Sequence, residues 1–468
     1  MNASAFTGWG GTPRSVGHAA SFTSSADASA VLTAAGPRGV IGRGLGRSYG
    51  DAAQNAGGTV AESTQDASIL DWQPETGAVA LHAGVTIDQL MRWALPRGFF
   101  VPVIPGTRHV TIGGAIAADI HGKNHHRDGT FGRHVESMVL CAPTATQRLT
   151  PSMALFGATT GGMGLTGLIA EATVRLHPVE TAYVTVDTER APDLDALLRN
   201  MTDHDHDYRY SVAWVDLLAS GRSLGRGVLT SGDHAARDAL TPRLRRDPLH
   251  FAPSVRAGVP ALPMCVLVPP VIAAFNEFWY RKAPAHRRGE VQSITEFFHP
   301  LDQLAGWNHL YGRRGFLQYQ FVVPNNETAC LEKIVEQLAG TGAPSFLAVL
   351  KRFGPANDAP LSFPIAGWTL TVDVPAHPEL ASVLRQLDHL VTDAGGRVYL
   401  AKDSRLDPSV LPTMYPRLDE WRRQRDEADP DGIMTSDLDR RLNLSGRHGG
   451  ARPALATATR TTTGTPAS

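Results

Sequence analysis

A glycine-rich segment with two arginines and a serine offers the clearest chemistry in the chain. It consists of Gly42, Arg43, Gly44, Leu45, Gly46, Arg47, Ser48, Tyr49, Gly50, Asp51 and Ala52. Glycine lets the main chain approach a ligand closely. Successive N–H groups beside arginines form a concavity that suits an anionic diphosphate. This segment, hereafter the glycine loop, is therefore predicted to cradle phosphate, and a surface turn is the alternative.

Two lysines that end apolar strands form the second candidate site. Lys351 follows Val349-Leu350, and Lys402 follows Tyr399-Leu400-Ala401. A lysine at a strand end commonly reaches out to water. In a partly desolvated cleft it instead polarises a hydroxyl, holds a phosphate or, with a lowered pKa, accepts a proton. The sequence leaves these alternatives open.

Two apparent motifs are rejected. Gly162-Met163-Gly164-Leu165-Thr166-Gly167 fits the dinucleotide pattern G-x-G-x-x-G, but residues 168–176 read as a strand where that fingerprint needs a helix. His121 and His125 are four residues apart, yet Gly122 favours a loop and no carboxylate or cysteine completes a zinc set. We predict no metal site and interpret His121 as a polar group beside a ligand.

Periodicity and turn signals predict the elements that carry these residues. In the first half, Thr86 and Gln89 form a capping box for a helix that Pro96 ends. A second glycine-rich stretch at 111–122 suits backbone packed over a flat ligand. In the second half, 316–323, 327–338 and 346–353 read as strand, helix and strand, and so do 368–374, 379–394 and 397–401.

Two such β-α-β units predict an antiparallel sheet with helices on one face. The helix-free face is then available to a ligand. Alternation places Gln318 and Gln320 together on one strand, and Thr369, Thr371 and Asp373 together on another.

Composition limits the partners. The 468 residues, 42% of them hydrophobic, predict two or three domains, and the net charge of −1 gives no overall attraction to nucleic acid or membranes. Three distant cysteines predict reduced thiols.

We see no signal peptide at the start, and four prolines interrupt the apolar run 259–275. Basic residues flank that run, so we interpret it as a loop that receives a lipid tail with an anionic head, touches an anionic bilayer or covers the core of its own domain.

Several ordered motifs are shared with a known family. They include Thr7-Gly8-Trp9-Gly10, Pro105-Gly106-Thr107-Arg108, Ala401-Lys402-Asp403-Ser404-Arg405 and the stretches 44–51, 119–126, 315–321 and 359–365. Over residues 6–443 the chain resembles the vanillyl-alcohol-oxidase/PCMH-type FAD oxidoreductases, and within them the oxidases of polyprenylphosphoryl-β-D-ribose. The resemblance implies an α+β fold with an FAD-binding domain at 6–180, a substrate domain at 181–396 and a segment at 397–443 that returns to the first domain. We expect 444–468 to be a disordered tail.

The resemblance also implies the site residues. FAD is expected to bind non-covalently, with its diphosphate on the glycine loop, and Asp51 stands where some covalent relatives carry histidine. Further cofactor contacts are expected from Gly106, Thr111, Ile112, Gly113, Gly114, Ala118, Asp119, Ile120, His121, Leu168 and Tyr399. The implied substrate contacts are Tyr49, His121, Trp214, Gln318, Gln320, Lys351, Thr369 and Thr371, and Lys402 is the implied catalytic residue.

The activity implied is oxidation of the ribose 2′-hydroxyl to a 2′-keto sugar, the first half of an epimerisation that supplies arabinose for cell-wall arabinan. The implied partners are a lipid-linked pentose phosphate, an NAD(P)H-dependent keto-reductase and the surface of the cell membrane, cytoplasmic or periplasmic, with the periplasmic face suggested by resemblance. No nucleic acid is expected. The alternatives are a sugar or aldonolactone FAD oxidase of the same family, or a flavin-binding scaffold without turnover.

Two pocket positions depart from the pattern. Thr369 stands where relatives often have asparagine, and Thr371 stands where the familiar enzyme carries a cysteine. We therefore expect that inhibitors aimed at that thiol form no covalent adduct at position 371, which mass spectrometry would test.

Overall fold

The computed structural model describes residues 3–448 except 65, 66, 254, 256, 343 and 344. Its first sheet has four strands in the spatial order Ala3–Thr7, Arg14–Ser21, Thr59–Glu62 and Val40–Arg43. The last three are parallel to one another, and the helix Ser25–Thr33 connects two of them. The glycine loop begins where the strand Val40–Arg43 ends, so this sheet fixes its starting point.

A second sheet of five antiparallel strands packs behind the first. Its order is Ile69–Gln73, Ala78–His82, Leu168–Arg175, Val135–Cys141 and Thr146–Leu149. The strand predicted after the rejected dinucleotide motif is confirmed. The helix Ile87–Ala94 carries the predicted capping box of Thr86 and Gln89. Shorter elements complete this half: the helices Ile112–Ala117, His125–Asp128 and Ala154–Thr159, and the strands Phe99–Phe100 and His177–Pro178.

The second half is built on an antiparallel sheet of eight strands. Their order is His286–Ser293, Tyr183–Ala191, Gly227–His234, Tyr210–Val215, Ala348–Phe353, Gly367–Pro375, Phe316–Pro324 and Arg397–Val398. The helices Leu194–His204, Thr328–Gly340 and Leu380–Asp393 bury their apolar stripes against one face. The two predicted β-α-β units are confirmed, although the last strand is shorter than expected.

The apolar run 259–275, which the sequence favours as a loop, is helical from Pro269 onward. Pro269 and Pro270 open a helix, Pro269–Lys282, because proline fits the first turn, where no N–H is needed. This helix leaves Val271, Phe275, Phe278 and Trp279 exposed. No helix in the described part of the chain is long and apolar enough to cross a membrane.

Several further elements are short. They are the helix Ile294–Phe298, the parallel pair Ala257–Gly258 and Leu304–Ala305, and the 3-10 turns Leu95–Arg97, Phe131–His134, Asp205–Asp207, Gly221–Ser223, Arg237–Ala239, Leu244–Arg246, Leu301–Gln303, Trp307–Tyr311 and Pro408–Val410.

The last described residues return to the first half. The helices Leu411–Met414, Leu418–Ala428 and Asp437–Leu442 lie there, and Trp421 Nε1 donates to the carbonyl of Ala158 at 3.0 Å. Leu444 and Ser445 are buried, so the expectation that disorder begins at 444 is wrong for them. The remainder of the predicted tail, 449–468, lies outside the described residues.

Candidate active site

One cavity of about 860 Å³ joins the glycine loop to the helix-free face of the eight-stranded sheet. Its walls also include residues from 104–123, from the turn at 399–402 and from the helix Pro269–Lys282. The cavity therefore connects the predicted phosphate cradle, the two lysines and the exposed apolar helix.

Close backbone packing shapes the glycine loop. A Cβ atom on Gly44 would lie 2.2 Å from Oγ1 of Thr111, and Gly46 has a φ of +62°. No larger side chain fits at Gly44 without displacing its neighbour, and the left-handed conformation of Gly46 disfavours one. The main chain of the loop therefore forms the cavity wall, as a bound diphosphate requires.

The two arginines of the loop have different roles. Arg47 lines the cavity with its guanidinium 4.0 Å from the centre of the Trp9 ring. Arg43 does not face the cavity, since it donates to the carbonyls of Ala53 at 2.9 Å and Thr7 at 2.8 Å. The expected phosphate contact from the Arg43 side chain is therefore corrected to a brace that holds the loop.

Most of the expected cofactor contacts line the cavity. They are Gly42, Gly44, Leu45, Gly46, Arg47, Ser48, Tyr49, Ala52, Gly106, Thr111, Gly114, Ala118, Ile120, His121 and Tyr399. Among the described residues, Arg43, Gly50, Asp51, Ile112, Gly113, Asp119 and Leu168 lie behind this lining.

Three of the residues behind the lining have evident structural tasks. Both carboxylate oxygens of Asp51 accept hydrogen bonds from Arg441. Asp119 accepts from the side chains of Asn357 and Ser362, each at 2.6 Å. Leu168 packs directly behind Gly42. These three residues support the cavity wall from outside the described lining.

Strand register brings the expected substrate contacts together. Gln320 is paired with Thr371, and Lys351 with Thr369, on neighbouring strands. Directly paired residues place their side chains on the same face. Trp214, Gln318, Gln320, Lys351 and Thr371 accordingly line the cavity.

Thr369 is the exception among the described substrate candidates. It is fully buried, donates to the carbonyl of Phe321 at 2.7 Å and accepts from Gln320 at 3.2 Å. The same amide nitrogen of Gln320 lies 2.8 Å from Nε2 of His121. Thr369 therefore supports Gln320 from behind and does not line the cavity.

His121 is held as a neutral imidazole. Its Nε2 accepts from the Gln320 amide, so the proton of the neutral ring is on Nδ1, which is buried with no hydrogen-bond partner among the described residues. Burial, with the Lys351 ammonium as a second cause, keeps the pKa of His121 well below its usual value. His121 thus offers the cavity an uncharged, fixed polar group.

Lys402 lies where the turn after Arg397–Val398 enters the cavity. Its Nζ is 3.9 Å from the centre of the Tyr49 ring. Burial lowers the pKa of Lys402 to about 7; Asp373 opposes this shift and Lys351 adds to it. Burial lowers the pKa of Lys351 to about 8. Both lysines therefore lose their protons far more readily than a lysine in water.

Sequence reasoning missed several site residues. Asp373 is fully buried; its Oδ1 accepts from the Gln318 amide, its Oδ2 has no partner in the described chain, and burial raises its pKa to about 7. Lys123 donates to the carbonyl of Phe297, and burial lowers its pKa to about 7. The sequence did contain a signal for Asp373, because strand alternation placed it on the same face as Thr369 and Thr371. Met163 and Gly164, within the rejected dinucleotide motif, also line the cavity.

Comparisons with known proteins agree with this geometry. Residues 18–150 match the family model of an FAD binding domain, and residues 316–442 match that of D-arabinono-1,4-lactone oxidase. A solved structure of a BBE-like 1 variant from Physcomitrella patens superposes with a TM-score of 0.61 over 89% of each chain at 14% identity, which shows a shared fold. The decaprenylphosphoryl-beta-D-ribose oxidase of Mycolicibacterium smegmatis is 45% identical over 93% of this chain and 97% of its own length.

The chain belongs to the decaprenylphosphoryl-β-D-ribose oxidase family. An uncharacterized protein of Streptomyces coelicolor is 40% identical over 77% of the chain and all of its own length. As a member of this oxidase family, the protein is an FAD-dependent oxidoreductase with an α+β fold of the PCMH type.

The position of Thr371 bears on inhibition within this oxidase family. Thr371 lines the cavity, whereas Cys141, Cys265 and Cys330 do not belong to the described cavity wall. No thiol of the described wall is therefore available to a covalent inhibitor. The absence of an adduct at position 371 stays a prediction.

The far end of the cavity is apolar. Its wall includes Val212, Trp214, Val228, Phe346, Leu347 and Val349, and Trp214 Nε1 donates to the Phe346 carbonyl at 3.0 Å. Phe275, Trp279, Lys282 and Arg287 line the outermost part. The cavity of this protein thus opens past aromatic side chains beside Lys282 and beside Arg287, which is paired with Glu290 at 2.7 Å.

Proposed function

We propose that this protein oxidises the 2′-hydroxyl of a polyprenylphosphoryl-β-D-ribose to the 2′-keto sugar. The observation that carries the proposal is the continuity of one cavity, which passes from the glycine loop, past Lys402 and Lys351, to an apolar mouth. Such a cavity fits a ligand with a polar sugar, an anionic phosphate and an apolar tail in that order. The 45% identical relative, a decaprenylphosphoryl-beta-D-ribose oxidase, has a substrate of this order in its name.

The residues that line the cavity have different roles in the proposed reaction. When bound, FAD supplies the hydride acceptor for the carbon-bound hydrogen of C2′. The neutral amine of Lys402 takes the hydroxyl proton, so the C–H and O–H bonds break as the C=O bond forms. Gln320 and His121 form a fixed polar wall that orients the sugar. Lys351, whose pKa is lowered only to about 8, keeps most of its positive charge at pH 7, which suits a phosphodiester.

Reduction of the bound flavin tests the proposal directly. We expect purified protein to be yellow, because oxidised flavin absorbs visible light, and to bleach under anaerobic conditions when a polyprenylphosphoryl ribose is added. Protein that takes up no FAD, or whose flavin stays oxidised with that lipid, would contradict the proposal. An enantiomeric or tail-less sugar serves as the control ligand.

A second candidate is a sugar or aldonolactone oxidase. The match of residues 316–442 to the D-arabinono-1,4-lactone oxidase model favours it, while the apolar mouth argues against a fully soluble substrate. Bleaching by free sugars or aldonolactones, but not by the lipid-linked sugar, would establish this candidate instead. If the first candidate holds, an NAD(P)H-dependent keto-reductase is the partner that returns hydride to the opposite face.

The exposed helix Pro269–Lys282 is the proposed contact with the membrane surface. Phe278 and Trp279 are 61% and 40% exposed beside the cavity mouth, and Arg281 and Lys282 follow them. Aromatic side chains enter the interfacial region of a bilayer while cations meet anionic headgroups. This places the mouth where a lipid tail need not cross water. The periplasmic side of the membrane is proposed by resemblance alone.

Vesicle binding tests this contact. Replacing Phe278 and Trp279 by serine is expected to raise the Kd for phosphatidylglycerol vesicles, measured by co-sedimentation, at least tenfold. The reason is that burial of each ring contributes about 1.5–3 kcal/mol. Val16→Ser with Leu70→Ser is the matched control, since both residues are exposed and lie on the first two sheets. Unchanged sedimentation of the aromatic double variant, or equal loss in the control, would rule out the helix as the contact.

A further inference from the structure

A buried ion-pair network joins the glycine loop to the segment that carries Lys402. Arg441, on the helix Asp437–Leu442, donates from Nε and Nη2 to the two carboxylate oxygens of Asp51, each at 2.8 Å. Its third nitrogen, Nη1, donates to Oδ2 of Asp403 at 2.8 Å. One guanidinium therefore bridges the end of the glycine loop and the residue that follows Lys402.

The two segments are also fastened by their backbones. The amide of Tyr49 donates to the carbonyl of Ala401 at 3.0 Å. A Cβ on Gly50 would lie 2.0 Å from the carbonyl oxygen of Asp403, so the main chains are in direct contact there. The Tyr49 ring and Lys402 Nζ, which meet at 3.9 Å, stand on these two segments. Any shift of one segment against the other changes that contact.

The charges of the network depend on Arg441. Asp51 and Asp403 are 3% and 4% exposed. Arg441 and Arg405 hold the pKa of Asp403 below its usual value although burial opposes them, and the two carboxylates raise the pKa of Arg441. Asp403 Oδ1 additionally accepts from the backbone amides of Arg405 and Leu406, at 2.9 and 2.8 Å. Removal of Arg441 would leave two buried carboxylates without their shared cation, which is strongly unfavourable.

We propose that Arg441 is a positioning residue that couples occupation of the glycine loop to the placement of Lys402. The loop residues Tyr49 to Asp51 and the turn residues 401–403 move as one unit because Arg441 holds both carboxylates. A ligand diphosphate that orders the loop then also orders the proton acceptor. The proposal rests on the proposed function for the role of Lys402, whereas its effect on FAD affinity does not depend on the substrate.

The decisive variants change one end of the network and are measured at the other. Asp403→Asn changes only a side chain that bonds to Arg441 and to the amides of Arg405 and Leu406. We nevertheless expect it to raise the Kd of FAD about fivefold or more, the usual lower range for coupled sites. If the neutral amine of Lys402 accepts the proton, kcat/KM rises with pH through the pKa of Lys402. Asp51→Asn does not touch Lys402, yet we expect it to shift the pH of that rise. Arg441→Lys is expected to show both effects, because a lysine cannot serve three acceptors in fixed geometry.

Arg425→Lys is the matched control. Arg425 is a buried arginine with a 2.8 Å ion pair to Asp429, and it is not part of the described cavity wall. We expect this variant to lower Tm while the Kd of FAD and the pH profile stay as in the unaltered protein. A purely structural role of Arg441 would give the same pattern in Arg441→Lys.

The outcomes separate the two proposals. An FAD Kd within about twofold of the unaltered protein in Asp403→Asn would overturn the coupling, since a coupled pair must show more. Unaltered protein that binds FAD but oxidises no lipid-linked ribose would overturn the proposed function and leave the FAD measurement valid. If Arg441→Lys does not fold, the two isosteric asparagine variants still decide the question.

Discussion

Lys402→Met is expected to lower kcat roughly 10²- to 10⁴-fold, the usual contribution of a positioned proton acceptor. Methionine retains much of the length and apolar volume of lysine, but it cannot take the hydroxyl proton. FAD should remain bound, because the glycine loop and its braces are unchanged. Kinetics on polyprenylphosphoryl ribose, with the flavin absorbance recorded alongside, measure both quantities.

The pH dependence tests the same residue from another direction. The pKa of Lys402 is lowered to about 7, so the amine is mostly protonated below that pH and mostly neutral above it. If the neutral amine is the acceptor, kcat/KM rises with pH through about 7 and then levels off. The negative charge of Asp373 raises the pKa of Lys402, so Asp373→Asn should move this rise to lower pH.

Lys333→Met is the control for Lys402→Met, since Lys333 is exposed on the helix Thr328–Gly340. It should leave kcat and the pH profile unchanged. A kcat/KM that falls as pH rises through 7 would show that the ammonium is the active form, which donates to the hydroxyl. Full activity of Lys402→Met would remove Lys402 from the mechanism.

Gly44→Val should abolish retention of FAD. The new Cβ would lie 2.2 Å from Oγ1 and 3.0 Å from Cγ2 of Thr111. Thr111 cannot yield easily, because it is 2% exposed and its hydroxyl accepts from the amide of Gly114 at 3.1 Å as the helix cap. The glycine loop must therefore move away from the position that forms the cavity wall. The ratio of flavin to protein absorbance after gel filtration measures the loss.

Two further variants isolate the cause of that loss. Gly36→Val is the matched control, because a Cβ at Gly36 meets nothing within 4 Å; it should retain FAD. The double variant Gly44→Ala with Thr111→Ala should recover part of the flavin content that Gly44→Ala loses alone. Normal flavin content in Gly44→Val would show that the loop does not hold the cofactor.

Local signals predicted the elements that carry the site. The capping box of Thr86 and Gln89 and the two β-α-β units follow from short-range patterns, and the structure confirms them. Alternation within a strand likewise placed Gln318 beside Gln320 on the cavity face. Such inferences hold because neighbours in sequence decide which face of a strand a side chain occupies.

Long-range contacts explain what the sequence could not show. Arg43 is turned to the carbonyls of Thr7 and Ala53, and Asp51 to Arg441. Arginine suits a phosphate loop by charge, so residue chemistry alone could not separate a brace from a ligand contact at Arg43. Asp51 pairs with a cation that lies 390 residues away in the sequence. The pairing of Asp373 with Gln318 depends on strand register, and strand register is a tertiary property.

The late position of Arg441 in the chain has a consequence for biogenesis. Asp51 and Arg441 are 390 residues apart, and at about 5–20 residues per second roughly 20–80 s of translation separate them. Val40, at the strand that leads into the glycine loop, likewise needs Ile433 and Thr435 as its backbone partners. All eight strands of the large sheet are synthesised before these residues. Under the proposed coupling, we therefore expect tight binding of FAD only after residues 433–441 have been synthesised.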